Sequence, residues 1–305
     1  MKKKQISNLF IDNGLILENS NSIEIKEIDK EKIIKYFEKY GVVVLRGFDF
    51  QAKKLTDYTN HFTETYAEDA LRRSARFGTS NIRNVDHGFN EIDLHSEASF
   101  APSWPEIIWF YCITPNSKGG AGATTLCDGS LLWQKLSLEA KEFFLANPLI
   151  YKLKIPVGIK KSNKIKKPWM LNVPGVSECF LDLKEGFLTL KLSRFAVHEG
   201  RNSKHLCFAN HLLSMIAEDQ IIDTTTSENK KIPNKLLDEI KIKSENLTYE
   251  FNWKKKDLMM IDNRRFIHGR RAYNKNDLRD IVNIQSYRAS FGYGVSTRLK
   301  NKNKL

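Results

Sequence analysis

Two kinds of apolar pattern divide the chain. Val42-Val43-Val44-Leu45 and Ile107-Ile108-Trp109-Phe110-Tyr111-Cys112-Ile113 run without a polar interruption and predict strands covered on both faces. From Leu149 onward the period becomes two, and residues 149–155, 186–197, 248–253, 257–262 and 280–288 predict short strands. Helical spacing shows in four places. Asp29 caps a helix from Lys30 to Tyr40, with Ile33, Ile34 and Phe37 on one face and Gly41 at its end. Gln51 to Tyr66 predicts a second helix through Leu55, Tyr58 and Phe62. Ser130 to Asn147, stopped by Pro148, predicts a third, and Lys235 to Ser244 a short fourth. Arg46-Gly47-Phe48 reads as a turn, Arg72 to Asn90 as a loop, and Ser203 to Glu218 as a loop entering a helix. Helices before and among many strands, with no internal repeat, predict a mainly β chain with flanking helices: a helix-decorated antiparallel jelly roll.

Composition refines that picture without changing it. The 305 residues are 41% hydrophobic and 28% charged, which predicts one soluble globular domain over 1–305, with its core at about 30–297 and short basic tails. The net charge of +13 raises nucleic acid as a partner, but no stripe of Arg and Lys interleaved with aromatics occurs, so none is expected. Lys2 to Lys4 and Arg298 to Lys304 read as tails, and Lys160 to Lys167 and Lys254 to Lys256 as solvated loops. An anionic substrate or an acidic carrier protein is the better use of the charge. Cys112, Cys127, Cys179 and Cys207 form no CxxC pair, so reduced thiols and a cytoplasmic location are expected. The basic start has no apolar stretch behind it, against a signal peptide, and no segment is long and apolar enough for a membrane span. Oligomeric state is not legible.

Candidate chemistry sits in two distant clusters. The first is His95-Ser96-Glu97. The second is Asp262 to Arg270 around His268, with Arg279 eleven residues after that histidine. On a strand, His95 and Glu97 share a face; on a helix they would stand about 200° apart. Two imidazoles and one carboxylate are the set that holds non-haem Fe(II) and leaves positions open for a bidentate co-substrate and O2. Each motif alone is weak. An HxE pair is commonly a surface His beside a surface Glu, and a lone His after an apolar strand is commonly structural. Met259 and Met260 read as core, and Trp104, Trp109 and Trp133 as core or pocket wall. His61, His87, His198 and His205 read as solvated or structural. A buried Arg279 suits a carboxylate, which it can clamp with two parallel hydrogen bonds.

The ordered set resembles the taurine dioxygenase-like (TauD/TfdA, clavaminate-synthase-like) Fe(II)/2-oxoglutarate oxygenases. It rests on Gly41 to Phe48, Leu94 to Glu97, Pro105 to Cys112, Gly119-Gly120 through Thr124 to Asp128, and Asp262 through His268 to Arg279. The resemblance implies a double-stranded β-helix core, with His95, Glu97 and His268 binding Fe(II). It implies that Arg279 holds the distal carboxylate of 2-oxoglutarate with help from Thr124, Thr125 being the competitor. Arg83, Asn84, Asn210, His211 and Arg270 are the expected substrate contacts. Glu97 stands where many relatives use Asp, the Ala121-Gly122 insert lengthens the glycine turn, and Asn283 stands where the taurine-type pattern has a second Arg, against a sulfonate substrate. A carboxylate at 97 fills the position a halogenase leaves for chloride, so hydroxylation is the expected outcome. Desaturation or cyclisation would use the same site. The expected substrate is a small polar metabolite, an amino acid or a carrier-bound amino-acyl group in specialised metabolism. The alternative, a non-catalytic jelly-roll binding protein, predicts lost ligands, and none is lost.

Overall fold

Strands with apolar residues on both faces need cover on both, and two packed sheets with helices outside supply it. The computed structural model describes residues 5–10, 13–19, 23–67, 73–85, 88–116, 120–156, 176–182, 187–201, 205–214, 222–226 and 231–292. Its larger sheet runs Gln5–Phe10, Asn13–Glu18, Val42–Arg46, Leu258–Asp262, Ile107–Thr114, Asp280–Ala289, Thr79–Asn84, Ala75–Arg76, with Thr63–Tyr66 also on Asp280–Ala289. The smaller runs Tyr249–Phe251, Thr124–Asp128, Phe266–Arg270, Ile92–His95. Pairing is antiparallel except between Asn13–Glu18 and Val42–Arg46. This is a jelly-roll core.

Alternate residues of one strand serve different cores, which is why the central strands read as unbroken apolar runs. Val42, Val44, Ile108, Phe110, Met259 and Ile261 meet Leu126 and Phe266 between the sheets. Val43, Leu45, Ile107, Trp109, Leu258 and Met260 face the other way, packing with Ile33, Ile34 and Phe37 of the helix Lys30–Tyr40. The outer face of the smaller sheet, at Leu94, Cys127 and Ile267, lies under the helices Gly129–Lys135, Leu138–Ala146 and Asn234–Asn246. A third sheet, Val176–Asp182, Phe187–Arg194, Leu149–Pro156, Ile222–Thr226, adds Leu149, Tyr151, Leu190 and Leu192 to that core. The cavity between the two main sheets opens where polar residues replace apolar ones on the inner faces.

Several elements differ from expectation. The predicted helix Gln51 to Tyr66 is a 3-10 turn Ala52–Lys54, a short helix Leu55–Thr59 and a strand Thr63–Tyr66. Thr63 hydrogen-bonds Ser286 at 2.6 Å, so pairing with a distant strand overrides the local helical spacing. Within the expected loop at 72–90 lies a hairpin, Ala75–Arg76 with Thr79–Asn84, turned through Phe77 and Gly78 at positive φ. The helix expected over 130–147 is two, because Ser137 caps a new start by accepting from Ala140 N at 3.2 Å. Ser203 to Glu218 shows a short strand, Leu206–Cys207, and no helix among its described residues. The larger sheet also starts ahead of 30, with Leu15, Ile16 and Leu17 buried. The tails, Lys160 to Lys167, His87 and the side chain of Cys179 lie outside the described residues. Among those described, no helix is long and apolar enough to cross a membrane.

Candidate active site

The strand Phe266–Arg270 lies between Thr124–Asp128 and Ile92–His95, and sets His268 directly across from His95. His268 is mid-strand rather than at the strand mouth expected from the sequence. Phe266, His268 and Arg270 face the inter-sheet space, while Ile267 joins the outer core. Gly269 permits the close approach: a Cβ there would stand 2.3 Å from the Ile92 carbonyl oxygen and 2.8 Å from Thr125 Oγ1. The two imidazole centroids are 4.6 Å apart.

Glu97 reaches them differently from expectation. Its strand ends at His95, and the carboxylate returns from a turn in which Ala98 takes φ 52, a left-handed value rare for a side chain with a Cβ. Asn263 holds that turn. Its Oδ1 accepts from Glu97 N at 2.8 Å, and its Nδ2 donates to the carbonyls of Glu97 and Pro105 at 3.0 and 2.9 Å. Ser96 Oγ donates to the Asn263 carbonyl at 2.6 Å and accepts from Trp104 Nε1 at 2.8 Å.

The two carboxylate oxygens do different things. Oε2 lies 3.3 Å from His95 Nε2 and 3.8 Å from His268 Nε2. Oε1 accepts from Arg73 Nη2 at 2.5 Å and from Gln285 Nε2 at 3.0 Å. Burial opposes ionisation of Glu97, but Arg73, then His95, hold its pKa well below the carboxylate range. Burial, reinforced by His95, pushes His268 down to about 3, so its imidazole is neutral near pH 7. His95 Nδ1 donates to the Asp93 carbonyl at 2.8 Å, which turns Nε2 toward the site. One ligand atom from each residue lies within 4.8 Å of the others. Two imidazoles and an ionised carboxylate converging on an open pocket fit a ferrous ion.

Thr124 and Arg279 line that same pocket, with Phe110 and Arg270. Thr124 shares the inner face with Leu126, whereas Thr125 lines a separate pocket on the outer side with Asp93 and Arg271. Thr124 Oγ1 accepts from Trp253 Nε1 at 2.8 Å, so its own proton is free to donate elsewhere. Arg279 Nε donates to the Gly122 carbonyl at 2.9 Å, and burial, then Arg270, lowers its pKa to about 10. Gly122 has φ 65, and a Cβ there would meet Arg279 Cδ at 3.1 Å, so the glycine turn and the arginine fit each other.

Other expected contacts fall in varied places. Arg270 Nη2 donates to the carbonyls of Gly88 and Asn90 at 2.5 and 2.9 Å. Arg83 Nη1 donates to the Arg73 carbonyl at 2.6 Å, and Asn84 Oδ1 accepts from Arg76 at 2.6 Å. Asn210 spends its amide on Ala196 O and Leu212 N, both at 2.9 Å, and stands behind Ser96. His211 packs edge-on against His95, with centroids 5.0 Å apart. Sequence reasoning missed Arg73, Asn263 and Gln285. Gln285 had a signal: Asn283 and Gln285 alternate with Val282 and Ile284, a polar period of two inside a buried strand. Arg73 had none.

The profile of the family described as "Taurine catabolism dioxygenase TauD, TfdA family" matches residues 13–285. Among solved structures, PvcB from Pseudomonas aeruginosa is 18% identical, with 90% of this chain and 86% of that one covered and a TM-score of 0.59. AAD-2, solved with Mn(II) and N-oxalylglycine, is 16% identical over 93% and 96%, at 0.62. A taurine dioxygenase from Burkholderia xenovorans is 14% identical over 92% and 88%, also at 0.62. At these identities the likeness speaks for the fold. No curated protein matches the chain by sequence.

Proposed function

This chain belongs to the taurine catabolism dioxygenase TauD, TfdA family and is an Fe(II)- and 2-oxoglutarate-dependent dioxygenase; on that premise we propose that it hydroxylates an unactivated C–H bond of a small polar metabolite, an amino acid or a carrier-bound amino-acyl group, releasing succinate and CO2. The observation that supports this best is one pocket lined by His95, Glu97 and His268 together with Thr124 and Arg279. Iron with 2-oxoglutarate and O2 would supply the oxidising power there.

The chain's own residues orient and hold. His95 and His268 offer their Nε2 atoms, and Glu97 offers Oε2. Arg279, tied to Gly122 through Nε, keeps its terminal nitrogens for the distal carboxylate of 2-oxoglutarate, and Thr124 adds a hydroxyl hydrogen bond. A carboxylate at 97 leaves no position for a halide, which favours hydroxylation. Asn283 stands across from the pocket residue Phe110 on the same side of the sheet; it is 1% exposed, and its amide atoms have no partner among the described residues. A neutral amide at that place suits a neutral polar group better than a sulfonate. Arg270 lines the pocket and remains a substrate contact. The buried free thiols Cys112, Cys127 and Cys207 suit a reducing cytoplasm.

A succinate-release screen across amino acids, free and carrier-bound, tests the reading. An active substrate whose product gains one oxygen supports it. A product that instead loses two hydrogens or closes a ring keeps the iron site and replaces the outcome, and no succinate with any member of the set contradicts the substrate class.

A further inference from the structure

We propose that Arg73 and Gln285 are positioning residues that keep Glu97 a one-oxygen ligand, so that the metal retains the open positions its co-substrate and O2 require. The inference rests on the reading of His95, Glu97 and His268 as the metal ligands.

A glutamate offers a metal two oxygens, and Glu is a common bidentate ligand. Three single-atom protein ligands leave half of an octahedron open; a second oxygen from Glu97 would take a position that a bidentate co-substrate plus O2 need. The geometry opposes this by engaging Oε1 with two donors. Arg73 Nη2 donates to it at 2.5 Å and Gln285 Nε2 at 3.0 Å, while Oε2 alone faces the two Nε2 atoms. Both donors are themselves fixed. Gln285 sits on the strand Asp280–Ala289 and is 6% exposed. Its amide orientation is dictated by chemistry, because its own oxygen cannot face an anion. Arg73 is 12% exposed at the side chain, and Arg83 Nη1 grips its carbonyl at 2.6 Å. The two clamps come from opposite directions in the chain, 24 residues before Glu97 and 188 after it.

This role makes an unusual demand on mutants. Loss of an ordinary hydrogen bond behind a metal ligand weakens metal binding. Arg73 is instead a cation sharing the carboxylate with the metal. Removing it frees Oε1 and removes a repulsion, so the metal should bind as well or better while the co-substrate binds worse.

Arg73→Met, Arg73→Lys and Gln285→Met, each checked for folding by thermal melting, would be titrated without oxygen, first with Mn(II), then with 2-oxoglutarate after Fe(II) loading. The second readout is the visible charge-transfer band of the chelated co-substrate. The expected result is Mn(II) affinity held or raised in Arg73→Met and lowered in Gln285→Met, which loses an ordinary hydrogen bond. Co-substrate affinity falls about tenfold in both, with a weakened band, and Arg73→Lys recovers part of the loss. Metal affinity that falls in folded Arg73→Met, or co-substrate affinity that is unchanged in either folded Met variant, overturns the proposal. Wild-type protein that takes up no metal overturns the ligand reading beneath it.

Discussion

The turn that carries Glu97 and the inner face of the strand Asp280–Ala289, which meets its carboxylate, differ in how their polar groups are held. In the turn, Asn263 satisfies the Glu97 backbone on both sides, and Ser96 both donates and accepts. On the strand, Asn283 Nδ2 and Oδ1 and Gln285 Oε1 are buried with no partner among the described residues. A buried unsatisfied polar atom costs roughly 1–3 kcal/mol. The contrast has a physical meaning. The backbone that carries Glu97 is tied down by its neighbours, whereas the strand beside it turns two buried amides toward the inter-sheet space with atoms unpaired among the described residues.

Mutations should separate the two regions, and the metal side should fail hardest. His268→Ala removes one of three ligands, so turnover falls by roughly three orders of magnitude or more and the anaerobic charge-transfer band disappears while the fold persists. Arg279→Ala leaves iron bound but raises the 2-oxoglutarate requirement about a hundredfold, the scale of a truncated buried charge pair. An unchanged requirement would pass the role to Arg270. Asn263→Ala breaks three buried hydrogen bonds and should cost about 3 kcal/mol in urea unfolding, with weaker metal uptake; an unaltered midpoint would show that the turn holds without it.

Acid gives a smaller effect. Burial, with the Arg264 and Arg194 charges, pushes His198 from 6.5 to about 3, and its Nε2 donates to the Arg264 carbonyl at 2.5 Å. The unfolded chain binds a proton near pH 6.5 that the folded protein accepts only near 3. Stability from this residue is thus intact above 6.5 and lost as pH falls through that window, by about 2 kcal/mol between pH 7 and 5. His198→Gln should flatten the pH dependence of unfolding. Smallest of all, Thr124→Val should weaken 2-oxoglutarate by about fivefold, the worth of one hydrogen bond, and Thr125→Val should not. Equal effects would erase the inner-versus-outer distinction between the two threonines.

Much of this architecture was legible, for identifiable reasons. Val42 to Leu45 and Ile107 to Ile113 announced two-sided burial because each face meets its own core. His95 and His268 were legible as chemistry, and the register His268↔His95 brings them together. The route of Glu97 was not, since a strand and a left-handed turn both return position 97 to the same side. Phe62 misled because its spacing from Tyr58 is helical, while the strand Asp280–Ala289, with Ser286 lying 223 residues after Thr63, claims Thr63 to Tyr66. Ser137, a residue able to cap a helix, was a readable break that the apolar face of Leu132 to Phe144 concealed. Arg73 illustrates the true limit: an ion pair between two irregular segments has no period, no cap and no turn signature to betray it.

A crystal structure grown with Mn(II) in the absence of oxygen tests the central claim most directly. The expected density is one ion bonded to His95 Nε2, His268 Nε2 and a single oxygen of Glu97, with its remaining positions facing Thr124 and Arg279. An ion held elsewhere, or by fewer than these three side chains, would contradict it.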